Sequence, residues 1–478
     1  MKIEQIYTGC LAQGAYYIES EGEAAFIDPL RETAPYTDRV EKDGVKVKYI
    51  FETHFHADFV SGHVDLAKKT GATIVYGPNA KTAYESHIAT DGEEFKVGKV
   101  TIKLLHTPGH TLESSCYLLK DENGNDHALF TGDTLFIGDV GRPDLAQKGD
   151  ITERDLASML YDSLHNKIMP LADEVVVYPA HGAGSACGKN MSKETVSTIG
   201  EQKKMNYALR AETREQFIYE VTDGLTKPPQ YFAQNVMMNK MGYDNIETVL
   251  ERGANALSPA DFETAVNLSS AVILDVRAPQ DFAKGFVPNS INIGLDGQFA
   301  PWVGALIVDL KQPIALITPE GREEETVIRL ARVGYDFCVG YLKGGMEAWK
   351  ASGKEVDQIK SITADELAAA YEANPEIKIL DARRNGEYDS ERLKAAYNFP
   401  LDYVNDNMQD LKKEETYFLH CAGGYRSMIL ASILRARGFE HLIDVQGGFS
   451  AIKNAGKMEL TDVAPCAMTA KMLKLQQA

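Results

Sequence analysis

Four short clusters of histidine and aspartate lie far apart along the chain. They are Thr53-His54-Phe55-His56-Ala57-Asp58, Thr107-Pro108-Gly109-His110, Thr131-Gly132-Asp133 and Pro179-Ala180-His181-Gly182. Imidazole and carboxylate groups together form a ligand set for divalent transition metals. A single histidine more often makes only a hydrogen bond, but four such clusters in one chain predict a metal site.

A second group of residues suits sulfur chemistry. The run from Tyr417 to Cys421 is typical of a buried strand, and Gly423, Gly424 and Arg426 follow it before a helix predicted over residues 427–437. The N–H groups of a glycine-rich loop, the helix start and the guanidinium would stabilise a thiolate or a terminal persulfide anion. We therefore expect Cys421 and Arg426 to be catalytic and Gly423 and Gly424 to bind substrate. An inert buried cysteine is the alternative.

Each metal-type cluster lies just after a run of residues that is typical of a β-strand. Such runs in this part of the chain include 24–27, 49–51, 73–76, 128–130 and 175–178. Side chains at the ends of several strands can converge on one edge of a sheet, where they could share a metal ion. We predict a layered α/β domain that, with a charged helical connector after Met191, covers residues 1–250.

The rest of the sequence contains an internal repeat. Val272 to Arg277 resembles Ile379 to Arg383, and two later Gly-Gly pairs correspond at the same spacing of about 105 residues, which is too long for a solenoid. We predict two tandem domains, 251–355 and 356–478, each with a doubly wound parallel sheet. A helix of the second copy is expected to start within Ser361 to Glu366.

Composition limits the possible partners. The 478 residues suit about three domains. The net charge of −19 argues against nucleic acid and anionic membranes. No apolar run approaches the roughly 18 residues of a membrane span, and the start does not resemble a signal peptide. The six cysteines are scattered, which indicates reduced thiols. We expect a cytoplasmic protein that could form a homo-oligomer.

The histidine clusters resemble those of the metallo-β-lactamase superfamily over residues 1 to about 210. Its motif T-H-x-H-x-D-H is matched except at the last position, where Phe59 stands. The resemblance implies an αββα sandwich. In the two-metal hydrolases of this superfamily the missing histidine, with the aspartate at Asp58, holds the second metal. Phe59 therefore argues against a glyoxalase II-like thioester hydrolase.

Within this superfamily, Phe59 and the stretch 138–145 make the sequence similar to the persulfide dioxygenases. This resemblance implies one ferrous iron, Fe(II), per chain on His54, His110 and Asp133. Two imidazoles and one carboxylate leave coordination positions for water, a substrate sulfur and dioxygen. A single zinc on His54, His56 and His110 is the competing assignment.

Other polar residues near these clusters have supporting roles in this interpretation. The residues expected to orient ligands and bound water are His56, Asp58 and His181. Arg142 could bind the carboxylate of a thiol substrate in a bidentate contact, or it could fix a loop through an ion pair. Cys187 could lie near the pocket mouth and pick up persulfide sulfur, or it could be a buried structural cysteine.

The cysteine loop resembles that of the rhodanese sulfurtransferases across roughly residues 360–455. Cdc-type phosphatases share this scaffold but have a loop one residue longer, so the six residues from Cys421 to Arg426 favour sulfur over phosphate. In the first copy Thr318 occupies the place of the cysteine. We expect that copy to be catalytically silent and to act as a spacer or docking domain.

Together these resemblances imply two linked activities. The metal domain would oxidise a low-molecular-weight thiol persulfide with dioxygen to sulfite, and Cys421 would transfer sulfane sulfur to sulfite, giving thiosulfate. Two alternatives remain. A glyoxalase II-like hydrolase would carry two metals and consume no oxygen, whereas a non-enzymatic persulfide carrier or sensor would need no iron.

Overall fold

The computed structural model describes residues 1–147, 149–225 and 227–462. They form two compact units. The first unit comprises residues 1–249 together with 308–310 and 328–336, and the second comprises the other residues from 250 on. The end of the predicted third domain, with Cys466, lies outside the described residues.

The first unit contains two six-stranded sheets. The strands of the first sheet, in spatial order, are β1 (Lys2–Thr8), β2 (Gln13–Ser20), β3 (Glu23–Ile27), β4 (Lys46–Phe51), β5 (Thr73–Tyr76) and β6 (His87–Ile88). Those of the second sheet are β7 (Glu94–Val97), β8 (Val100–His106), β9 (Ser115–Lys120), β10 (Asp126–Gly132), β11 (Val176–Pro179) and β12 (Ser197–Thr198). The second sheet is antiparallel except where β10 pairs with β11.

Helices pack against both sheets of this unit, and the last helix ends within the second unit. They are α1 (Ala34–Asp43), α2 (His63–Thr70), α3 (Glu153–Ser163), α4 (Ile199–Met205), α5 (Arg214–Thr222), α6 (Phe232–Met241) and α7 (Ile246–Gly253). None of the helices within the described residues combines the length and the apolar character that a membrane span requires.

The alternation of apolar residues along the strands builds the layers. Tyr16 and Ile18 of β2 join a core with residues of the second sheet, while their neighbours Ala15 and Tyr17 pack in a separate core with residues of the first helices. This is the period of two that a strand buried on both faces requires. The predicted αββα sandwich is confirmed.

The second unit contains two five-stranded parallel sheets. The first has β13 (Ala256–Leu257), β14 (Val272–Asp275), β15 (Ile291–Asn292), β16 (Ile314–Ile317) and β17 (Cys338–Leu342). The second has β18 (Lys360–Ile362), β19 (Lys378–Asp381), β20 (Ala396–Asn398), β21 (Tyr417–His420) and β22 (Leu442–Val445). Both sheets place their first, fifth, fourth, second and third strands in that order. The sequence repeat is therefore a repeat of topology.

Helices connect the strands of each copy. They are α8 (Pro259–Ser269), α9 (Pro279–Ala283), α10 (Phe299–Leu306), α11 (Glu323–Ala331), α12 (Gly345–Ala351), α13 (Ala364–Ala373), α14 (Asn385–Ser390), α15 (Val404–Asn407), α16 (Tyr425–Ala436) and α17 (Gly448–Ala455). Thr363 caps α13 and forms a capping box with Glu366. The helix starts inside the predicted window, although Ser361 belongs to β18 because it pairs there with Asp444.

Candidate metal centre and sulfur-transfer site

The ends of three strands bring His54, His110 and Asp133 together. They follow β4, β8 and β10, and their buried ligand atoms lie within 4.8 Å of one another. Oδ2 of Asp133 lies 3.8 Å from Nε2 of His54 and 3.4 Å from Nε2 of His110. This buried oxygen has no hydrogen-bond partner in the described part of the chain. A carboxylate oxygen without a donor that faces two imidazole nitrogens fits a bound metal ion.

Outer hydrogen bonds fix both imidazoles. Nδ1 of His54 lies 3.0 Å from the Thr53 hydroxyl, which donates to Oδ2 of Asp28 at 2.8 Å. Nδ1 of His110 lies 2.9 Å from the backbone oxygen of Arg142. Because these oxygens accept from Nδ1–H, each ring turns the lone pair of Nε2 toward the carboxylate. Two such nitrogens and one carboxylate suit a divalent transition metal with open positions.

His181 lies between two carboxylates. Its Nδ1 is 2.8 Å from Oδ1 of Asp133, and its Nε2 is 2.9 Å from Oδ2 of Asp58. Burial alone would lower the pKa of His181, but the two carboxylates raise it well above its ordinary value.

Cys187 lies beside Asp58 and His181. It is buried, as one of the two alternatives in the sequence analysis has it. Burial, and then the charge of Asp58 and Asp133, raises the pKa of its thiol.

His56 belongs to a different group of side chains. Its Nε2 lies 3.1 Å from Oδ1 of Asp28 and 3.4 Å from Oε2 of Glu52, and its ring stacks on Phe59 at 4.2 Å. Burial alone would lower the pKa of His56, but these carboxylates raise it to about 10. In the described residues His56 therefore groups with Asp28 and Glu52, whereas the competing zinc site needs it beside His54 and His110.

The sequence analysis missed the residues behind the metal ligands. Asp28 and Glu52 each follow a strand directly, so the strand-end rule that found the histidines could have found them as well. His63 is the first residue of α2, is fully buried, and has its Nδ1 3.2 Å from Oε1 of Glu52. These groups form one buried network with His56, which supports the metal ligands through Asp28.

Arg142 makes the ion pair that the sequence analysis gave as the alternative to a substrate contact, and the substrate contact stays a prediction. Its Nε and Nη2 bind the two oxygens of Asp144 at 2.6 and 2.7 Å, and Nη1 donates to the oxygen of Ala186. A partner two residues away satisfies the guanidinium locally. Arg142 therefore acts on the metal centre through its backbone oxygen, which holds His110.

Cys421 is buried and opens the loop that follows β21, which ends at His420, one residue earlier than predicted. The backbone N–H of Gly424 donates to Sγ of Cys421 at 3.1 Å. Gly424 adopts a φ of 96° and leads directly into α16, so its freedom from a side chain lets the chain turn beneath the sulfur. Gly448 approaches from α17, where a Cβ would meet the Cys421 oxygen at 2.3 Å.

A cavity of about 350 Å³ opens at Cys421. Its lining includes the predicted residues Gly423 and Arg426, and Arg426 donates to both oxygens of Glu387 at 2.6 and 2.7 Å. Gln298 and Trp302 of the first copy also line it. The sequence could not show this contribution, because these residues lie in the other copy. The first copy is thus more than a spacer.

The corresponding loop of the first copy contains its own anion. Thr318 follows β16, and both its hydroxyl and the N–H of Gly321 donate to Oε1 of Glu323, at 3.3 and 3.2 Å. A carboxylate of the protein therefore accepts two hydrogen bonds from this loop. Thr318 stands where the second copy has its thiol, and the silence of the first copy stays a prediction.

Two family models match separate parts of the chain. The metallo-beta-lactamase superfamily matches residues 8–181. The rhodanese-like domain matches twice, at residues 258–352 and 363–455. These matches correspond to the two-sheet sandwich and to the two parallel sheets, respectively.

Two individual proteins are similar to part of this chain. The persulfide dioxygenase ETHE1 of Homo sapiens is 32% identical over 211 residues, which cover 44% of this chain and 75% of that protein. A hydroxyacylglutathione hydrolase of Rhodopseudomonas palustris is 31% identical over 232 residues, which cover 42% of this chain and 85% of that protein.

A solved structure matches more of the chain. The crystal structure of a metallo-beta-lactamase from Staphylococcus aureus is 29% identical, with a TM-score of 0.63, and the match covers 72% of this chain and 98% of that one. The chain thus belongs to the metallo-beta-lactamase superfamily, as a fusion of a domain homologous to persulfide dioxygenases with two rhodanese-like domains.

Proposed function

We propose that this chain oxidises a low-molecular-weight thiol persulfide to sulfite and combines sulfite with sulfane sulfur to give thiosulfate. The observation that carries the first step is the group His54, His110 and Asp133, in which Nε2 of both histidines faces a carboxylate oxygen that no donor of the described residues contacts. The persulfide dioxygenase relative supports the substrate class. The observation that supports the second step is the Cys421 loop.

The residues around the metal group prepare it for one ion. A ferrous ion held there would supply open coordination positions for a substrate sulfur and for dioxygen. Thr53 and the Arg142 oxygen keep protons on the outer nitrogens of the two histidines. His181 holds a proton beside Asp133. The overall reaction takes one persulfide, one dioxygen and one water to thiol, sulfite and protons, so all atoms balance.

Cys421 would carry out the sulfur transfer in two displacements. Its thiolate attacks the outer sulfur of a persulfide, the S–S bond breaks, and the thiol leaves with a proton. Sulfite then attacks the outer sulfur on Cys421, thiosulfate leaves, and the thiolate is restored. The Gly424 N–H stabilises the thiolate that begins and ends this cycle, because it donates directly to Sγ.

An oxygen electrode tests the first step. Protein loaded with iron under reducing conditions should contain about one iron per chain and consume oxygen when a thiol persulfide is added. His110→Ala and Asp133→Ala should abolish the uptake, because each removes a metal ligand. His87→Ala is the matched control, since His87 is an exposed histidine paired with Glu93. Normal uptake in the two ligand variants would contradict the proposal.

Thioester hydrolysis is the second candidate, because the hydroxyacylglutathione hydrolase relative covers the same domain. Phe59 argues against it, since phenylalanine cannot bind a second metal, and so does the pairing of His56 with Asp28 and Glu52. The test is to offer a glutathione thioester to the iron-loaded and the zinc-loaded protein. Rapid hydrolysis with two zinc ions per chain and no oxygen uptake would replace the proposal.

A further inference from the structure

One residue of the cysteine loop reaches from the second copy into the first. Tyr425 precedes Arg426 in this loop and is the first residue of α16. Its hydroxyl donates to the backbone oxygen of Gly294 at 2.7 Å. Gly294 lies in the segment 293–298, which connects β15 to α10 of the first copy. The loop that carries the thiol is therefore attached to the first copy by one of its own residues.

Two glycines of this segment leave room for the tyrosine ring. A Cβ on Gly297 would meet ring atoms of Tyr425 at 2.8 and 2.9 Å, and a Cβ on Gly294 would meet the ring at 3.2 Å. Neither glycine adopts a positive φ, so the backbone at both positions would accept a side chain. A side chain at Gly297 would therefore clash with Tyr425, although the backbone conformation itself would allow it.

Backbone hydrogen bonds fix the segment within the first copy. The N–H of Ile293 donates to the Asp275 oxygen at 3.1 Å, and the N–H of Leu295 donates to the Val276 oxygen at 2.9 Å. Asp275 ends β14, which has a neighbouring strand on both sides in the first sheet. Gly294 lies between the two donors, so the sheet of the first copy holds in place the oxygen that receives the Tyr425 hydroxyl.

The position of Tyr425 affects the thiol directly. It follows Gly424, whose N–H donates to Sγ of Cys421 at 3.1 Å, and it precedes Arg426, which binds Glu387. We propose that Tyr425 is a positioning residue through which the first copy holds the Gly424 N–H against the sulfur. Without this contact the loop can turn away from Sγ, and the thiolate loses a donor. The inference rests on the proposed function and deepens it, because it gives the first copy a part in sulfur transfer.

Alkylation of Cys421 by iodoacetamide tests this contact without turnover, because the thiolate is the reacting form. The full chain is treated at neutral pH, and mass spectrometry of the peptide that contains Cys421 gives its rate apart from the other cysteines. Gly297→Ala should lower this rate about 10-fold, because it weakens a hydrogen bond to a charged sulfur. Gly294→Ala, which approaches the ring less closely, should lower it less. Tyr397→Ala is the control at an exposed tyrosine of the second copy and should leave the rate unchanged.

The pH dependence separates loss of the donor from a change in access to the thiol. At alkaline pH the thiol is ionised in every variant, so the alkylation rates of Gly297→Ala and the unchanged protein should converge. A loss that is equally large at neutral and alkaline pH would contradict the proposal, because a blocked cavity slows the reagent at every pH.

A double variant shows whether Gly297→Ala acts through the ring. Tyr425→Ala removes the ring and should lower the neutral-pH rate by about the same factor as Gly297→Ala. Adding Gly297→Ala to Tyr425→Ala should have no further effect, because the ring that it would displace is absent. Tyr425→Phe keeps the ring and loses only the hydroxyl, so its loss should be smaller. An unchanged rate in Gly297→Ala, or additive losses in the double variant, would overturn the proposal.

Sulfur transfer from a thiol persulfide to sulfite is then measured on the same variants. Its rate should fall in the same order as the alkylation rate at neutral pH, with Tyr397→Ala unchanged. Absence of sulfur transfer in the unchanged protein would contradict the proposed function, whereas the alkylation rates would still decide whether Tyr425 positions the loop.

Discussion

The Thr53 hydroxyl offers the sharpest test of how the metal ligands are held. It connects Nδ1 of His54, at 3.0 Å, with Oδ2 of Asp28, at 2.8 Å, and all three residues are buried. Thr53→Val replaces this hydroxyl by a methyl group of nearly the same size. The Thr53 N–H still donates to Oδ1 of Asp28, so the backbone stays anchored. The substitution therefore removes the two hydrogen bonds of this hydroxyl, with His54 and with Asp28, and little else.

The expected loss follows from what His54 does without its acceptor. Its buried Nδ1–H is left unsatisfied, which costs about 1–3 kcal/mol. The ring can then change tautomer or turn, and Nε2 is no longer presented to the metal. Loss of such a partner lowers metal affinity about 10- to 100-fold. At about 1.4 kcal/mol for each factor of ten, this range agrees with the cost of the unsatisfied group.

Anaerobic titration of iron against a chelator of known affinity measures the effect. Thr53→Ser keeps the hydroxyl and should bind iron as the unchanged protein does. Thr326→Val makes the same change at a buried threonine whose hydroxyl donates to the Arg322 oxygen, and it should leave iron affinity unchanged. Wild-type affinity in Thr53→Val, or an equal loss in Thr53→Ser, would refute the role assigned to this hydroxyl.

Three further predictions concern the second unit. Cys421→Ser should leave oxygen uptake with a persulfide intact but shift the product from thiosulfate to sulfite. Separation of the two anions measures this shift, and an unchanged enzymatic thiosulfate yield would contradict the prediction. Gly448→Ala should reduce sulfur transfer at least about 10-fold, because the new Cβ would meet the Cys421 oxygen at 2.3 Å. Gly386→Ala is the control and should leave sulfur transfer unchanged, because a Cβ there meets nothing within 4 Å. Burial raises the pKa of Asp444 to about 6. Because the folded protein therefore binds a proton here more tightly than the unfolded chain does, protonation of Asp444 stabilises the fold, and this contribution is lost as the pH rises through 6. Relative to Asp444→Asn, the unchanged protein should lose about 3 kcal/mol of stability between pH 4 and pH 7; denaturant unfolding at both values measures this, and a constant difference would contradict it.

The fold could be predicted from the sequence where local pattern and chain order agree. Strand-like runs that end in histidine or aspartate identified the ends of β4, β8, β10 and β11, because strands of one domain share sheet edges. The spacing of the Gly-Gly pairs identified two copies, and both copies have the same strand order. These features depend on short segments of the sequence, so they can be predicted without knowing the three-dimensional path of the chain.

Features that depend on pairing across the fold were missed. The strand-end rule could have named Asp28 and Glu52, but it does not show that His56 contacts these carboxylates. The ion pair of Arg142 with Asp144 was weighed only as an alternative, because a short loop allows either geometry. Asp28 follows a different strand from the one that precedes His56, and Asp144 shares a short loop with Arg142, so in both cases only the three-dimensional path of the chain selects the partner.

The first copy has a threonine where the second has Cys421, but it still lines the cavity at that cysteine. Thr318 and Gly321 direct their donors to Glu323, so this loop satisfies its own anion-binding groups. These donors have partners within the loop and do not need a bound substrate. Trp302 of the first copy lines the cavity at Cys421, where an indole ring gives the opening an apolar wall. The second copy separated near residue 355 would keep its cysteine loop but lose that wall, because the wall belongs to the copy without the cysteine.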